Sequence, residues 1–222
     1  MEVKTRIEQA LTQALALGQI ATCPPRLARA VEYAVFPGGA RLRPTLSLAV
    51  SRACGEDDPA LTDAAAAAVE FMHCASLVHD DLPCFDNAEI RRGKPSVHKA
   101  FDERLAILTG DALMVPAFQV LAERAERHPE RLAPLTLAIG RGVGLPKGII
   151  PGQAWECETG VALDQYQREK TGALFAAAAA GGAAAAGVND DAWRRFGECL
   201  GEAYQVADDL RDVVANEQEL GK

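Results

Sequence analysis

The chain has 222 residues, 49% of them hydrophobic, and a formal net charge of −8. This length and apolar content predict one domain spanning residues 1–222 with a sizeable core. The negative charge excludes nucleic acid as the main partner, because phosphate backbones require a basic surface. A small phosphate ligand stays possible, since local cations set the field of its site.

The sequence predicts neither a signal peptide nor a membrane span. Residues 1–6 are too charged for the apolar part of a signal peptide. The longest nearly apolar run, 172–188, is shorter than the roughly 20 residues of a membrane-spanning helix. The cysteines at 23, 54, 74, 84, 157 and 199 show neither a CxxC pair nor metal-ligand spacing. We therefore expect a cytoplasmic protein without a membrane span, with reduced thiols mostly in the core.

Apolar residues recur at helical spacing along the chain, which predicts an all-α fold. The expected helices span 2–17, 25–35, 45–54, 60–78, 101–127, 134–143, 164–186 and 190–214. Asp58 is expected in a loop or as an N-cap, and Asp164 as the N-cap of the helix that follows it. We expect the glycine-rich passage 142–152 to form a bend. Glu156 and Glu158 could approach the functional site, but exposure on the surface is favoured for both.

Two acidic stretches, each at the end of a helical pattern, are the strongest candidates for chemistry. In the first, Pro83 stops the helix, which leaves Asp86 free to fold back toward Asp80. In the second, a four-residue step of about 400° returns Asp212 to the helix face of Asp208. Carboxylates gathered at one cavity need a cation between them, and hard oxygen ligands suit Mg²⁺, which also binds substrate phosphates. The expected metal ligands are Asp80, Asp81, Asp86, Asp208, Asp209 and Asp212.

Several basic residues could face these carboxylates. Arg41 and Arg43 follow the flexible pair Gly38-Gly39, where their guanidinium groups could close on a phosphate or belong to a basic loop. His73 lies about two turns before Asp80 and so shares its helix face, although a lone buried histidine is more often a core residue. On spacing alone, the pair at 91–92 could lie on the surface, and the lysine at 170 could extend to solvent.

These residues also carry a family resemblance. The run from His73 through Asp80-Asp81-Leu82-Pro83 and Asp86 to Arg91-Arg92-Gly93 resembles the first aspartate-rich motif of trans-isoprenyl diphosphate synthases. Further matching blocks follow in the same order: Gly110-Asp111, Gly152-Gln153, Lys170-Thr171-Gly172 and Gln205-Val206-Ala207-Asp208-Asp209. The match covers nearly the whole chain. Within the family, the chain most resembles the geranylgeranyl diphosphate synthases of carotenoid-making and photosynthetic bacteria. This resemblance implies an isoprenoid-synthase fold, in which antiparallel helices surround a central cavity.

The resemblance implies a role for each matching residue. Isopentenyl diphosphate is expected on Arg43, His73 and Arg92, with Arg41 as an additional cation. The allylic diphosphate is expected on Arg91 and Lys170, with Lys222 also within reach, and Thr171 and Gln205 beside the developing allylic cation. The chain departs from the family at Ala40, where the usual residue is lysine, and the loss of this cation is expected to weaken isopentenyl diphosphate binding.

The expected reaction is Mg²⁺-dependent condensation of isopentenyl diphosphate with dimethylallyl, geranyl or farnesyl diphosphate. Ala75 and Ser76, just before Asp80, are small, which favours a C20 product, geranylgeranyl diphosphate. The alternatives are a farnesyl diphosphate synthase, a non-catalytic partner subunit of a prenyl synthase, and a terpene cyclase. The resemblance also implies a homodimer, and because relatives generally continue with further helices, we expect the chain to lack those C-terminal helices.

Overall fold

The computed structural model describes residues 2–18, 23–36 and 38–214, with the side chains of 17, 18, 212 and 213 left aside. The regular secondary structure of the described chain is helical apart from one short hairpin. Its α-helices are α1 Val3–Gly18, α2 Pro25–Val35, α3 Leu42–Ala53, α4 Pro59–Asp80, α5 Val97–Ala100, α6 Glu103–Arg124, α7 Pro129–Val143, α8 Ile149–Ala154, α9 Leu163–Gln167, α10 Ala173–Ala185 and α11 Asp191–Val214. The hairpin joins strands β1 Ile90–Arg91 and β2 Lys94–Pro95. The all-α prediction is confirmed.

Helix α4 lies at the centre of the bundle and carries the first acidic stretch at its C-terminal end. Asp58 caps its N-terminus, because the carboxylate accepts hydrogen bonds from Ala60 N at 3.0 Å and Leu61 N at 3.2 Å. The helix packs against α1, α3, α6 and α10. Its alanine-rich faces let these neighbours approach closely, while Phe71 and Met72 fill the core. A rigid scaffold thus holds the acidic end of α4.

The predicted helix boundaries are confirmed for α2 and lie within two residues for α1, α4 and α11. Helix α3 begins three residues earlier than predicted and α7 five residues earlier. The passage 142–152 contains a bend as expected, but the short helix α8 begins within it. The Asp164 prediction was wrong. Ala162 is the N-cap of α9, and Asp164 lies inside the first turn with its carboxylate paired to Arg168 at 2.8 Å.

The predicted helix over 164–186 consists of three segments. Between α9 and α10 the backbone forms a five-residue π-helix, Arg168–Gly172, which carries Lys170 and Thr171. π-Helical turns widen the helix locally and occur frequently at functional sites. Gly152 of α8 packs directly on the Lys170 backbone, where a Cβ atom would collide with it. This close approach holds α8 and the π-helical turn together.

The hairpin was not predicted, and it packs on the C-terminal end of α2. Lys94 Nζ donates hydrogen bonds to the carbonyl oxygens of Tyr33 at 2.5 Å and Phe36 at 2.7 Å. A cation at the C-terminus of a helix is also favoured by the helix dipole. Lys94 thereby positions the neighbouring arginines of the hairpin.

The cysteines are free, but the prediction that most lie in the core was wrong. Cys74 is buried, Cys23 and Cys54 are partly buried, and Cys84, Cys157 and Cys199 are exposed. Burial raises the pKa of Cys74 to about 11, so this thiol stays protonated at neutral pH.

Two helical stretches, Pro59–Asp80 and Glu103–Arg127, have the length and hydropathy of a membrane span. The first contains the core helix α4, of whose apolar window 78% is buried. The second contains α6, whose window is only 39% buried and which exposes a row of apolar side chains. These are Ile107, Leu108, Val115 and Phe118. The row is an unpartnered apolar face on an otherwise packed helix.

Candidate active site

The first acidic stretch forms a compact carboxylate cluster. Oxygen atoms of Asp80, Asp86 and Glu156 lie within 4.8 Å of one another. Asp86 N donates to the Asp80 carbonyl oxygen at 3.0 Å, so the segment after Pro83 folds back toward the helix end as predicted. Glu156 follows α8 and reaches the same place. It is exposed, as expected, and it also approaches the site, which the sequence had left open. This trio is called the acidic cluster below.

Lys170 is the counter-ion of the acidic cluster. Its Nζ forms ion pairs with Glu156 and, at 3.4 Å, with Asp80. Burial by itself would lower the pKa of Lys170, but Glu156, Tyr166 and Asp80 outweigh it and raise the pKa above its ordinary value. Burial also raises the pKa of Asp80, against the opposing effect of Lys170 and together with the charge of Asp86. Carboxylates this close require a cation, and here the lysine provides it.

The acidic cluster has the donor set of a divalent-cation site. It offers several hard carboxylate oxygens, from Asp80 at the end of α4 and from Asp86 and Glu156, which are open to solvent. Oxygen donors of this kind bind Mg²⁺ through one or two carboxylates, with water and phosphate filling the remaining positions. The residues therefore fit a divalent cation, with Lys170 beside them.

The second acidic stretch lies on α11 across the same cavity. Asp208 is partly buried and pairs with Arg211 at 2.9 Å. Asp209 accepts hydrogen bonds from Gln205 Nε2 at 2.7 Å and Gln167 Nε2 at 2.9 Å, so amide groups occupy its carboxylate. The side chain of Asp212, like the whole of Lys222, is outside the described residues.

Thr171 and Gln205, which were predicted to act together, are in contact. Thr171 Oγ1 donates to Gln205 Oε1 at 2.7 Å. The pair joins the π-helical turn to α11 and lines the cavity between the two acidic stretches. Two neutral oxygen atoms, the threonine hydroxyl and the glutamine carbonyl, are therefore held beside the cavity.

Asp81 lies apart from the acidic cluster. It is buried, and its carboxylate accepts hydrogen bonds from the Arg91 guanidinium, including one from Nε at 2.9 Å. Asp81 was predicted to be a metal ligand. In the structure its carboxylate instead holds the Arg91 side chain in place. Arg91 in turn faces the cavity that also borders Asp80 and Asp208.

A cavity of about 770 Å³ runs from Asp80 and Asp208 down between the helices. Its mouth is polar, with Lys170, Thr171 and Gln205, and its depth is apolar. The apolar wall includes Met72, Ala75, Met114, Val143, Ile149 and Leu174. A molecule with a charged head and a hydrocarbon tail matches this division.

A second cavity of about 480 Å³ adjoins the first and is lined by arginines. Arg43 and Arg92 line it without a carboxylate partner in the part of the chain described, and His73 Nε2 lies 3.4 Å from Arg43. Burial, with several neighbouring arginines, keeps the pKa of His73 well below its usual value, so the imidazole is neutral. Burial also lowers the pKa of Arg43, and its Nε is buried without a partner among the described residues. Among the described residues, two carboxylates, those of Glu70 and Asp208, face five arginines in this arginine pocket.

Arg41 borders the arginine pocket, but its charge is directed into the core. The guanidinium bonds Glu70 at 2.6 Å, Glu8 at 2.9 Å and the Val35 carbonyl oxygen at 2.8 Å. Of the two arginines predicted to bind the substrate from this loop, only Arg43 presents its guanidinium to the pocket. The position between Gly39 and Arg41 is Ala40, whose methyl group leaves its part of the pocket wall uncharged.

Sequence reasoning missed one residue that lines the site and left a second one open. Glu156, left open, belongs to the acidic cluster, and the signal that could have settled it is its place three residues after Gln153 in a matching block. Arg211 lines the arginine pocket and lies within the second acidic stretch, where its basic charge among aspartates was the available signal.

The whole chain is similar to known prenyl synthases. It is 56% identical to the geranylgeranyl diphosphate synthase of Cereibacter sphaeroides and 52% identical to that of Rhodobacter capsulatus, over all 222 residues and 77% of each relative. A solved geranyltransferase from Legionella pneumophila has a TM-score of 0.84 at 34% identity, over 95% of this chain and 77% of that one. An FPP/GFPP synthase from Zymomonas mobilis has a TM-score of 0.83 at 35% identity, over 96% and 82%. Residues 24–222 match the polyprenyl synthetase family model, and the chain belongs to that family.

Proposed function

We propose that this protein is a Mg²⁺-dependent trans-prenyltransferase that condenses isopentenyl diphosphate with an allylic diphosphate to form geranylgeranyl diphosphate. The observation that carries the proposal is the pairing of two adjoining cavities, one between opposed carboxylates and one lined by arginines. Two diphosphates need two such sites. The relatives at 56% and 52% identity, both geranylgeranyl diphosphate synthases, support this product.

The allylic substrate fits the larger cavity. Asp80, Asp86 and Asp208, with Glu156 beside them, would hold Mg²⁺. Bound there, the metal would neutralise charge on the diphosphate leaving group. Lys170 and Arg91 lie where they can bind the same diphosphate, and the Thr171 and Gln205 oxygens face the tail where positive charge develops.

Isopentenyl diphosphate fits the arginine pocket. Arg43 and Arg92 supply charge, and the neutral His73 supplies a ring nitrogen for a hydrogen bond. The double bond of this substrate then attacks the allylic cation, and a proton leaves the new carbon skeleton to restore a double bond. By family resemblance, the released diphosphate accepts that proton.

The decisive experiment is incubation of the purified chain with isopentenyl diphosphate and dimethylallyl, geranyl or farnesyl diphosphate, followed by product sizing. We expect a C20 product with Mg²⁺ and none after the metal is chelated. A C15 product that is not extended would instead identify a farnesyl diphosphate synthase. No turnover with any primer would favour a non-catalytic partner subunit. The arginine pocket argues against a terpene cyclase, which binds a single diphosphate.

Product length is expected to depend on Ala75. Its small, buried side chain lines the apolar depth of the larger cavity, below Asp80 on the same helix. Ala75→Phe places a ring in the path of the growing tail and should move the main product from C20 to C15. Ala75→Ser keeps the space and should still give C20. An unchanged product profile for Ala75→Phe on chromatography would contradict this placement of the cavity floor.

The chain is further proposed to act as a homodimer in the cytoplasm. The exposed apolar row on α6 supports the dimer, because a single helix face of this kind calls for a partner surface. The resemblance to synthases of carotenoid-making and photosynthetic bacteria makes carotenoid biosynthesis the expected use of the product.

A further inference from the structure

Arg211 is a cation in the arginine pocket that the function described so far does not use. It lies on α11 inside the second acidic stretch and lines the same cavity as Ala40, Arg43 and Arg92. Its Nη2 atom lies 2.9 Å from Asp208 Oδ1 in an ion pair, and its side chain is 63% exposed. The side chain therefore has the freedom to move within the mouth of the pocket.

Among the described residues, five arginines but only two carboxylates, those of Glu70 and Asp208, line the pocket. Glu70 is engaged by Arg41, and Asp208 is engaged by Arg211. Arg91 is engaged by Asp81. The buried Arg43 Nε has no hydrogen-bond partner among the described residues, which marks one position where an acceptor belongs.

We propose that Arg211 is a ligand of the isopentenyl diphosphate and supplies the cation that the uncharged Ala40 does not. The inference rests on the proposed function, in which the arginine pocket holds that diphosphate. A guanidinium presents several donors in a planar fork that matches phosphate oxygens. Arg211 is paired with Asp208 in this structure. When the diphosphate binds, its oxygen atoms replace the Asp208 carboxylate as the partner of Arg211. The residue is thus shared between the second acidic stretch and the arginine pocket.

The test is the binding of isopentenyl diphosphate to the whole chain, measured by titration calorimetry with divalent metal chelated. Without metal, the acidic cluster repels a diphosphate, so the titration reports the arginine pocket. Arg211→Gln should weaken binding about fivefold to tenfold, as expected for one charge-assisted contact at a partly solvated site. Arg195→Gln removes the same charge from an exposed position on α11 outside the pocket lining, and its affinity should stay close to that of the unchanged chain.

A compensating variant separates a direct contact from an indirect effect. Ala40→Lys combined with Arg211→Gln restores one cation to the pocket wall and should recover most of the lost affinity. The proposal is overturned if Arg211→Gln binds like Arg195→Gln. It is also overturned if Ala40→Lys recovers nothing, because the loss would then come from a change at Asp208. Binding is measured without turnover, so an inactive chain that still needs Arg211 would refute the proposed function and leave this inference standing.

Discussion

At the scale of single residues, the loop before α3 shows how backbone conformation decides which side chain serves the site. Arg41 has a left-handed backbone with φ of 53°, which is uncommon for a residue with a Cβ. The ion pairs with Glu8 and Glu70 hold the residue there and direct its side chain into the core. The next arginine, Arg43, then lies on the first turn of α3 and faces the pocket.

Removing Arg41 should destabilise the fold strongly. Arg41→Met leaves the Glu70 carboxylate, whose side chain is only 2% exposed, without its cation. Breaking a buried ion pair from one side costs about 3–5 kcal/mol of unfolding free energy. Urea unfolding should show this loss for Arg41→Met. The loss of unfolding free energy should be markedly smaller for Arg41→Met combined with Glu70→Leu, because this double variant removes both charges. Equal losses in the single and double variants would show that the pair itself is unimportant.

The loop also shows what residue patterns can and cannot predict. Spacing after Gly38-Gly39 left open whether the two arginines bind a phosphate or belong to a basic loop. It could not distinguish one arginine from the other, because the inward direction of Arg41 depends on carboxylates from two distant helices. Asp81 differs from its neighbour Asp80 for the same reason. The helix ends between them, and Arg91 from the hairpin captures only the second carboxylate. The local spacing of residues does not predict long-range pairing of this kind.

At the scale of elements, Arg131 on α7 joins two turns that border the core helices. Its guanidinium donates to both carboxylate oxygens of Asp57, at 2.6 and 2.7 Å, just before the start of α4. It also donates to the Ala185 carbonyl oxygen at 2.9 Å, at the C-terminus of α10. One side chain thus connects α4, α7 and α10. Its guanidinium also supplies a hydrogen-bond donor for a carbonyl oxygen at the C-terminus of α10. Secondary-structure patterns predicted all three helices but not this connection.

The Asp57 pair should make stability depend on acid pH. The hydrogen bonds and charge of Arg131 lower the pKa of Asp57 from 3.8 to about 2. A carboxyl group with a lowered folded-state pKa contributes stability above its unfolded pKa and loses it as pH falls toward the folded value. Asp57→Asn should therefore cost up to about 1 kcal/mol at pH 7, a modest amount because the pair is partly exposed. The difference from the unchanged chain should shrink between pH 4 and pH 2.

Urea unfolding at pH 7, 4 and 3 measures this dependence. Arg131→Gln should lose the same pH-dependent contribution and an additional constant part from the Ala185 carbonyl. Arg127→Gln removes a nearby exposed charge and should follow the unchanged chain at every pH. A constant difference for Asp57→Asn across this range would show that the lowered pKa does not contribute to folding.

At the scale of the whole molecule, the two cavities lie on one side of α4 and the apolar row of α6 is exposed to solvent. The fold class and the family could be predicted from the sequence, because helical periodicity and the two acidic stretches are local patterns. The arrangement of the pockets could not, since it depends on the π-helical turn, the hairpin and the contacts of α11. Only packing brings Glu156 to Lys170, and Arg211 to the pocket of Arg43 and Arg92.

The exposed row on α6 predicts a specific assembly. The side chains of Leu108, Val115 and Phe118 are 50%, 58% and 38% exposed and recur at spacings of seven and three residues on one helix face. If this face pairs two chains, light scattering should give twice the chain mass of 23.6 kDa. Val115→Glu places a charge in the apolar contact and should yield monomers. Val188→Glu introduces the same charge at an exposed valine after α10 and should leave the dimer intact. A monomeric unchanged chain, or a Val115→Glu variant that still dimerises, would show that α6 is not the contact surface.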